Sequence, residues 1–545
     1  MSRFEEMTQS YPDAALNIAL DTIERKKQAL IFCSTKRGAE SQAEKIAQKT
    51  KPDDDRRALR ERLADSILAA VQQPTKQCQR LALCVRKGAA FHHSGLASRQ
   101  REVIETGFRD GTITIICATP TLAMGMDLPA YRSVIRDLKR YSKGTSWGMV
   151  EIPVLEYEQM AGRAGRPGME AVGEAICIAE TESEKDHIIE KYLLGDPEDI
   201  YSKLAVEPVL RTYVLSLIAS GYVHDTEALH KFFDDTFYAW QYGDTDKLHH
   251  ILDKMARLLS QWGFIETPGA DGRQDDFVAA SDLASGVLRA TSVGERVAQL
   301  YLDPYTAHHL ILSLENGARR KLALDEFPLL HLLCTTLEIR PLLSVRQSEI
   351  DDIDRLLLAQ EDALFVKSPS IYSAEYEDFL STVKTAAALQ AWVNEAGEDV
   401  LLEQYRLSPG DLQAKREIAD WLLYSLVELA KLLRWHHLIA ELEKMRMRLE
   451  YGAKEELLGL LRLRGIGRVR ARKLVRAGIR SLEDLKRADG ARLKLLLGEK
   501  IAIDIKSQVG QEISPGQLRV ASNKRKGQIN LGDFGPTDGE RGKGK

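Results

Sequence analysis

Cysteine is scarce in this chain. The six cysteines (Cys33, Cys78, Cys84, Cys117, Cys177 and Cys334) are scattered and none forms a CxxC pair. Such spacing supplies neither a zinc-ligand set nor a disulfide framework, and a thiol within an apolar run packs as a small hydrophobe. His92 and His93 have no second ligand cluster at zinc spacing, so a structural or backbone-binding part is expected of them and no metal site is predicted. No run of about 18 apolar residues occurs, which predicts no membrane span. The opening Met1-Ser2-Arg3-Phe4-Glu5-Glu6 has no apolar signal core, so export is not expected and the reading is a reduced, cytoplasmic protein. One-sided charge is missing too: 76 Lys plus Arg against 80 Asp plus Glu leave a net charge of −4. Affinity for a polyanion must therefore come from local clusters. No internal repeat is visible.

What is present is enough for several domains. At 545 residues, 44% hydrophobic and 29% charged, the chain has room for roughly three to five domains of about 100–200 residues. Residues 28–180 hold short β-type runs, Ala29–Cys33, Thr112–Ala118, Ser133–Ile135 and Ala175–Ala179, between helical or polar segments. Continuous apolar strands alternating with helices predict a buried, mainly parallel α/β sheet over residues 1–194. Two strands run into polar turns, Ser34-Thr35-Lys36-Arg37-Gly38 and Ala118-Thr119-Pro120-Thr121, at the sheet edge where α/β proteins place ligand chemistry. From Asp196-Pro197 the texture turns helical. Residues 195–302, with Trp262-Gly263-Phe264-Ile265, a Gly/Asp-rich turn at 269–276 and Leu288–Leu300, resemble a winged helix. Residues 303–445 read as all-helical, 446–510 as a small basic helical unit, and 511–545 as a Gly- and Lys-rich tail expected to be disordered.

The most informative stretch is Gln159-Met160-Ala161-Gly162-Arg163-Ala164-Gly165-Arg166-Pro167-Gly168. If Gln159 to Arg166 is helical, Gln159, Arg163 and Arg166 lie at i, i+4 and i+7 on one face. Two permanently charged guanidinium forks with no acid among them suit a dense anion, such as the charge on a transferring γ-phosphoryl group. Gly162 and Gly165 weaken a helix, which makes sense only where something packs closely.

Read together with Leu30-Ile31-Phe32-Cys33-Ser34-Thr35-Lys36-Arg37, Phe91-His92-His93-Ser94-Gly95-Leu96 and the run from Thr114 to Pro129, that stretch resembles motifs IV, IVa, V and VI of superfamily-two helicases, in that order. The wording is similar to the HelQ-type DNA repair helicases of archaea, over essentially the whole chain. The resemblance implies an α/β RecA-like lobe followed by a winged helix, an all-α ratchet domain and a helix-hairpin-helix domain. It implies a 3′-to-5′ DNA helicase for forked or branched DNA, using ATP and Mg2+. On it, Arg163 and Arg166 become arginine fingers and Gln159 couples them to DNA. Thr119, Thr121, Gly125 and Asp127 match the motif touching both ATP and the DNA backbone, and Thr35 and Arg37 would meet phosphate. Between motifs V and VI the family carries a duplex-splitting hairpin, where Tyr141 or Trp147 would be the wedge, or the segment is an ordinary surface hairpin. The family's ratchet helix carries an Arg and a Trp. The Trp matches Trp421, which is either a base-stacking platform or a core residue, while the Arg position is Ala414 with Arg416 nearby.

The phosphate cradle GxxxxGK[ST] is absent from these residues, and no apolar strand ending in DExH or DExD precedes residue 28. A helicase motor needs both, so the expectation is a partner P-loop lobe. The chain would be a separately encoded half of a split enzyme, a piece of a longer one, or a shortened reading frame. A non-enzymatic DNA-binding protein derived from a helicase is the alternative, which two intact arginines disfavour. Near the C-terminus, Leu463-Arg464-Gly465-Ile466-Gly467-Arg468-Val469-Arg470-Ala471-Arg472-Lys473-Leu474 reads as helix, Gly-x-Gly turn, helix. Seven arginines, one lysine and no acid lie between Leu460 and Arg480. Glycines let the turn's amides approach phosphate, and the pattern resembles a helix-hairpin-helix DNA-backbone module, with Gly465, Gly467, Arg468, Arg470 and Arg472 as its contacts. In the tail, Gln528 to Phe534 resembles a sliding-clamp-binding peptide with one of the two usual aromatics.

Overall fold

The structure, a computed structural model, describes residues 7–51, 55–71, 74–125, 127–142, 148–165, 172–204, 206–266 and 287–511. It divides into two compact units, residues 1–450 and 451–545. In the first, β1 (Ala29–Phe32), β2 (Ala89–His92), β3 (Ile115–Ala118), β4 (Arg132–Ile135) and, after the antiparallel hairpin of β5 (Lys139–Ser142) and β6 (Gly148–Glu151), β7 (Glu174–Cys177) make the α/β lobe. The five-stranded sheet runs in the order β2-β3-β1-β4-β7 with every pairing parallel. All side chains of β1 to β4 are buried, as a sheet covered on both faces requires. The cover comes from α1 (Ala14–Glu24), α2 (Lys36–Lys49), α3 (Arg57–Ala69), α4 (Lys76–Arg86), α5 (Ser98–Arg109), α6 (Thr121–Gly125), α7 (Val154–Ala161) and α8 (Glu182–Ile188).

Two strands differ from the sequence reading. β3 starts at Ile115 rather than Thr112 because the Thr112 amide turns back to donate to Asp110 Oδ1 at 2.8 Å. β2 carries only a weak strand signal: Ala-Ala-Phe-His has no β-branched residue and Phe91 alone favours a strand, so its pairing with β3 is decided by burial.

Beyond the lobe come α9 (Glu207–Ala219), α10 (Thr226–Asp234), α11 (Phe237–Tyr242), α12 (Thr245–Gln261) and α13 (Ser292–Gln299). With the antiparallel ribbon of β8 (Ile265–Glu266) and β9 (Arg289–Ala290) they form a winged-helix arrangement. Its turn at 269–276 lies outside the described residues. Next are α14 (Pro304–Arg319), α15 (Glu326–Cys334), α16 (Ile350–Gln360), α17 (Tyr376–Val393), α18 (Pro409–Leu432) and α19 (His436–Tyr451). A single core, from Leu210 to Leu449, runs through both sets of helices, whereas the α/β lobe has its own. In the second unit α20 (Leu458–Leu461), α21 (Arg468–Arg476), α22 (Leu482–Arg487), α23 (Gly490–Leu497) and α24 (Glu499–Gln508) enclose a small leucine-rich core. The tail expected to be disordered lies, from residue 512 on, outside the described residues.

One buried histidine makes the helical core sensitive to acid. His331 is fully buried on α15, with Nε2 3.0 Å from Thr382 Oγ1. That hydroxyl donates to the Phe379 carbonyl, so Nε2–H is the donor to Thr382, and Nδ1 is buried with no hydrogen-bond partner. Burial, reinforced by neighbouring His309, pushes the imidazole down to about 4. A depressed histidine contributes stability that is complete above its unfolded value of 6.5 and drains away as pH falls toward the folded one. The loss between pH 6.5 and 4 is on the order of 3 kcal/mol. Urea melts of the full chain are expected to lose stability from pH 7 to pH 5 with a slope that His331→Gln reduces; parallel slopes contradict the assignment.

Candidate nucleic-acid interface

Because the sheet is parallel, the loops leaving β1, β2, β3 and β4 all emerge at one edge. Ser34-Thr35 follows β1, His93-Ser94 follows β2, Thr119-Pro120-Thr121 follows β3 and Arg136-Asp137 follows β4. Thr35 caps α2, its Oγ1 accepting from the Gly38 amide at 2.9 Å. The Ser34 amide and hydroxyl donate to Asp137 Oδ2 at 2.8 and 3.1 Å. Burial alone would raise the Asp137 carboxyl, but Arg136 and Ser34 outweigh it and hold it below the ordinary carboxylate value. Thr119 and Thr121 hydroxyls lie 3.0 Å apart and reach solvent. These loops border a cleft of about 340 Å³ lined by Ser34, Lys36, Ser94, Thr119, Thr121, Asp137 and Arg140. Two carboxylates share this cleft, Asp137 and Glu156, and Glu156 is paired with Arg140 at 2.8 Å, so Lys36 and the hydroxyls are the groups that suit a phosphate backbone contacted without regard to base. Arg37 is exposed beside it.

The two histidines behind that edge are structural. His92 Nε2 lies 2.9 Å from Glu105 Oε1, and His93 Nε2 3.2 Å from Glu40 Oε1, while His93 Nδ1 accepts from the Gly95 amide at 3.1 Å. Among the described residues no group of three His, Cys, Asp or Glu is placed to hold a metal.

Gln159 and Arg163 do not share a continuous helix, which corrects the i, i+4, i+7 reading. α7 ends at Ala161, and Gly162 caps it by donating to the Glu158 carbonyl at 2.7 Å. The chain then pairs with Ala130: the Ala130 amide donates to the Arg163 carbonyl at 2.9 Å and the Gly165 amide to the Ala130 carbonyl at 2.7 Å. Gly165 sits at φ +98°, and a Cβ on Gly173 would fall 2.2 Å from the Gly165 nitrogen. The glycines thus serve a tight backbone crossing rather than a helix face. That crossing positions Arg163, whose Nη2 donates to the Ala123 carbonyl and whose Nη1 lies 3.8 Å from Asp127 Oδ1. Asp127 is almost fully exposed, and a Cβ at Gly125 would meet nothing within 4 Å. Arg163 thus joins Ala123 and Asp127, with Gly125 exposed in the segment between them and Gln159 exposed on the last turn of α7; Arg166 lies outside the described residues. On the hairpin, Tyr141 is exposed opposite exposed Met149, and Trp147 lies outside the described residues.

Trp421 and Arg416 are engaged within the helical core. Trp421 Nε1 donates to the Leu300 carbonyl at 3.1 Å and the ring packs partly buried. Arg416 donates through Nε to the Leu449 carbonyl at 3.0 Å and through Nη2 to the Glu450 carbonyl, with its guanidinium 4.9 Å from the Trp392 ring centroid. It thereby caps the C-terminal carbonyls of α19.

In the second unit Gly465 adopts φ +80° and Gly467 is the N-cap of α21. Arg468 is buried, with Nη1 3.4 Å from the Gly452 carbonyl. Arg470 donates to the Gly465 carbonyl at 2.6 Å and Arg472 pairs with Glu456 at 2.6 Å. The outward cations are Arg462, Arg464, Arg470, Lys473, Arg476 and Arg480, so alternate positions that look equivalent in sequence divide between core and surface. A second helix-turn-helix, α23 and α24 about Gly498 at φ +90°, went unread because it has one glycine and no Gly-x-Gly.

Thr35 offers a direct check on the edge geometry. Thr35→Ala removes the α2 cap and is expected to cost about 1 kcal/mol in urea melts, whereas Thr35→Ser is expected to match the parent. Equal stability of all three would mean the cap is not formed.

Comparison with known proteins follows the same divisions. The helicase conserved C-terminal domain matches residues 65–168, archaeal helicase domain 4 matches 327–452, and the SAM-like helix-hairpin-helix tandem matches 457–510. The chain is 37% identical over 511 residues to an ATP-dependent DNA helicase Hel308 of Methanocella arvoryzae, covering 92% of this chain and 65% of that protein. It is 34% identical over 536 residues to the Methanococcus vannielii protein of the same name, covering 92% and 68%. It is likewise 34% identical over 552 residues to that of Caldivirga maquilingensis, covering 96% and 69%. The chain thus spans about two thirds of the length of these curated relatives.

Proposed function

Because this chain belongs to the Hel308 family of ATP-dependent DNA helicases, we propose that it is the C-terminal portion of such a motor, completed by a P-loop lobe lying outside these 545 residues. The observation that carries the proposal is the placement of Arg163 on the Ala123 carbonyl and beside Asp127, the two residues that flank Gly125. A guanidinium held by the Ala123 carbonyl sits beside an open backbone and a solvent-facing carboxylate. This arrangement suits the second face of a nucleotide cleft, where arginine neutralises charge on a phosphoryl group in transfer. Arg163 and Arg166 are the arginine fingers in this reading, and Gln159 couples them to DNA. Mg2+ would be held chiefly by the P-loop lobe and the triphosphate, since no three-ligand cluster is available among the described residues.

The substrate in this reading is single-stranded and forked DNA in repair or replication, tracked with 3′-to-5′ polarity. Thr119 and Thr121 in the cleft, with Thr35 and Arg37 exposed just after β1, follow the backbone. Tyr141 or Trp147 opens the duplex. In the second unit the Gly465 to Gly467 turn and Arg470 grip phosphate without sequence preference, with Arg468 and Arg472 shaping that module from within. Trp421 closes the helical side of the track while Arg416 holds α19 in place. Gln528 to Phe534, outside the described residues, is kept as a sliding-clamp peptide. No helix among the described residues is long and apolar enough to cross a membrane, and free thiols suit the cytoplasm, where we place the protein.

The test is ATP turnover with forked DNA, for the chain alone and mixed with a separately expressed P-loop lobe. Turnover is expected only in the mixture, falling by about 10³ on Arg163→Ala or Arg166→Ala. Absence of turnover in both, with salt-sensitive DNA binding retained, would favour a helicase-derived binding protein instead.

A further inference from the structure

Next to the cleft at the strand edge, the first turn of α18 is seated directly on the α/β lobe. The Gly410 amide donates to the Gly95 carbonyl at 3.0 Å. A Cβ at Gly410 would fall 2.1 Å from the Ser94 carbonyl oxygen, so only glycine allows this approach. Ser408 caps the helix, accepting from the Asp411 amide at 3.3 Å and donating to Asp411 Oδ2 at 2.5 Å. So braced, the Asp411 carboxylate faces Lys36, and Lys36 Nζ donates to its two oxygens at 2.8 and 2.9 Å. Lys36 also lines the cleft with Ser94, Thr119 and Thr121.

We infer that Lys36 is a phosphate-binding residue of the cleft, and that Asp411 is a positioning residue which holds Lys36 at the cleft wall and yields it to an incoming DNA phosphate. The inference rests on the reading of this cleft as the DNA track. Both partners are roughly two-fifths exposed, and an ion pair this open to water is weak. A phosphodiester oxygen offers the ammonium an equally short charge-assisted bond, and the neighbouring phosphates of the strand add counterion release that the lone carboxylate lacks. The Gly410 to Gly95 backbone bond does not involve the carboxylate, so α18 remains seated while Lys36 changes partner. Strand entry would thus break a side-chain tie between α2 and α18 while sparing the backbone one, which makes occupancy of the cleft felt at the first turn of the long helix.

The experiment is fluorescence anisotropy of the full chain with a labelled oligothymidylate over a salt series, repeated with Arg464→Ala and Arg470→Ala present so that the second unit does not mask the cleft. Lys36→Met is expected to weaken binding and make the log K against log salt slope shallower by about 0.7, one single-strand phosphate contact. Asp411→Asn is expected to tighten binding by roughly threefold or more with the wild-type slope, because the phosphate no longer competes with a carboxylate. An unchanged slope in Lys36→Met overturns the inference whether or not Asp411→Asn folds, since that variant leaves the helix cap intact. Asp411→Asn binding that is unchanged or weaker overturns it as well. Thr119→Val with Thr121→Val separates the two readings. Weakened binding there with a silent Lys36→Met sinks only the Lys36 assignment, whereas silence in both sets sinks the cleft as the track.

Discussion

Parallel pairing of four fully buried strands is the constraint from which the rest of the first unit follows. A parallel ladder cannot be closed by tight hairpins, so each strand needs a helical crossover, and the crossovers cover both faces. With Leu30, Ile31 and Phe32 of β1 excluded from water, each contributing about 1.5–3 kcal/mol by burial, slipping the central strand would forfeit much of the lobe's core. The same parallel sense sends Ser34, Ser94, Thr119 and Asp137 to a single edge. The ligand-facing chemistry is thus a by-product of strand direction, fixed before any site residue is chosen.

α18 extends that order into the helical part. At 24 residues it is about 36 Å long. Its first turn rests on Gly95 through Gly410, its middle reaches the Leu300 carbonyl through Trp421, and Glu428 near its end pairs with Arg296. Those last two contacts join it to the end of the winged-helix arrangement, with which it shares a core. A helix fixed at both ends transmits displacement along its axis instead of dissipating it in a loop.

Much of this was legible in the sequence because it was written locally. Continuous apolar runs announced β1 and β4, and polar turns at strand ends announced the edge. The Gly-x-Gly turn announced the first hairpin of the second unit. What was illegible depends on tertiary context. β2 has no β-branched residue and only Phe91 that favours a strand, and it is made a strand by its neighbours. Arg163 was placed on a helix that stops two residues earlier, because the pairing of Ala164 with Ala130 is invisible to periodicity. Arg468 and Arg470 look alike in sequence, yet one is buried and the other exposed. Lys36 and Asp411 stand 375 residues apart, and no local pattern encodes a pair at that separation.

The central claim is that the strand-edge cleft, rather than only the basic helical unit, receives the DNA strand. Hydrogen exchange of the full chain with and without an unlabelled oligothymidylate measures this directly. The account predicts slowed exchange in the segments 34–38, 94–96 and 119–121, together with the 465–470 turn. Protection confined to residues 462–480, with the three lobe segments exchanging as in the free chain, would contradict it.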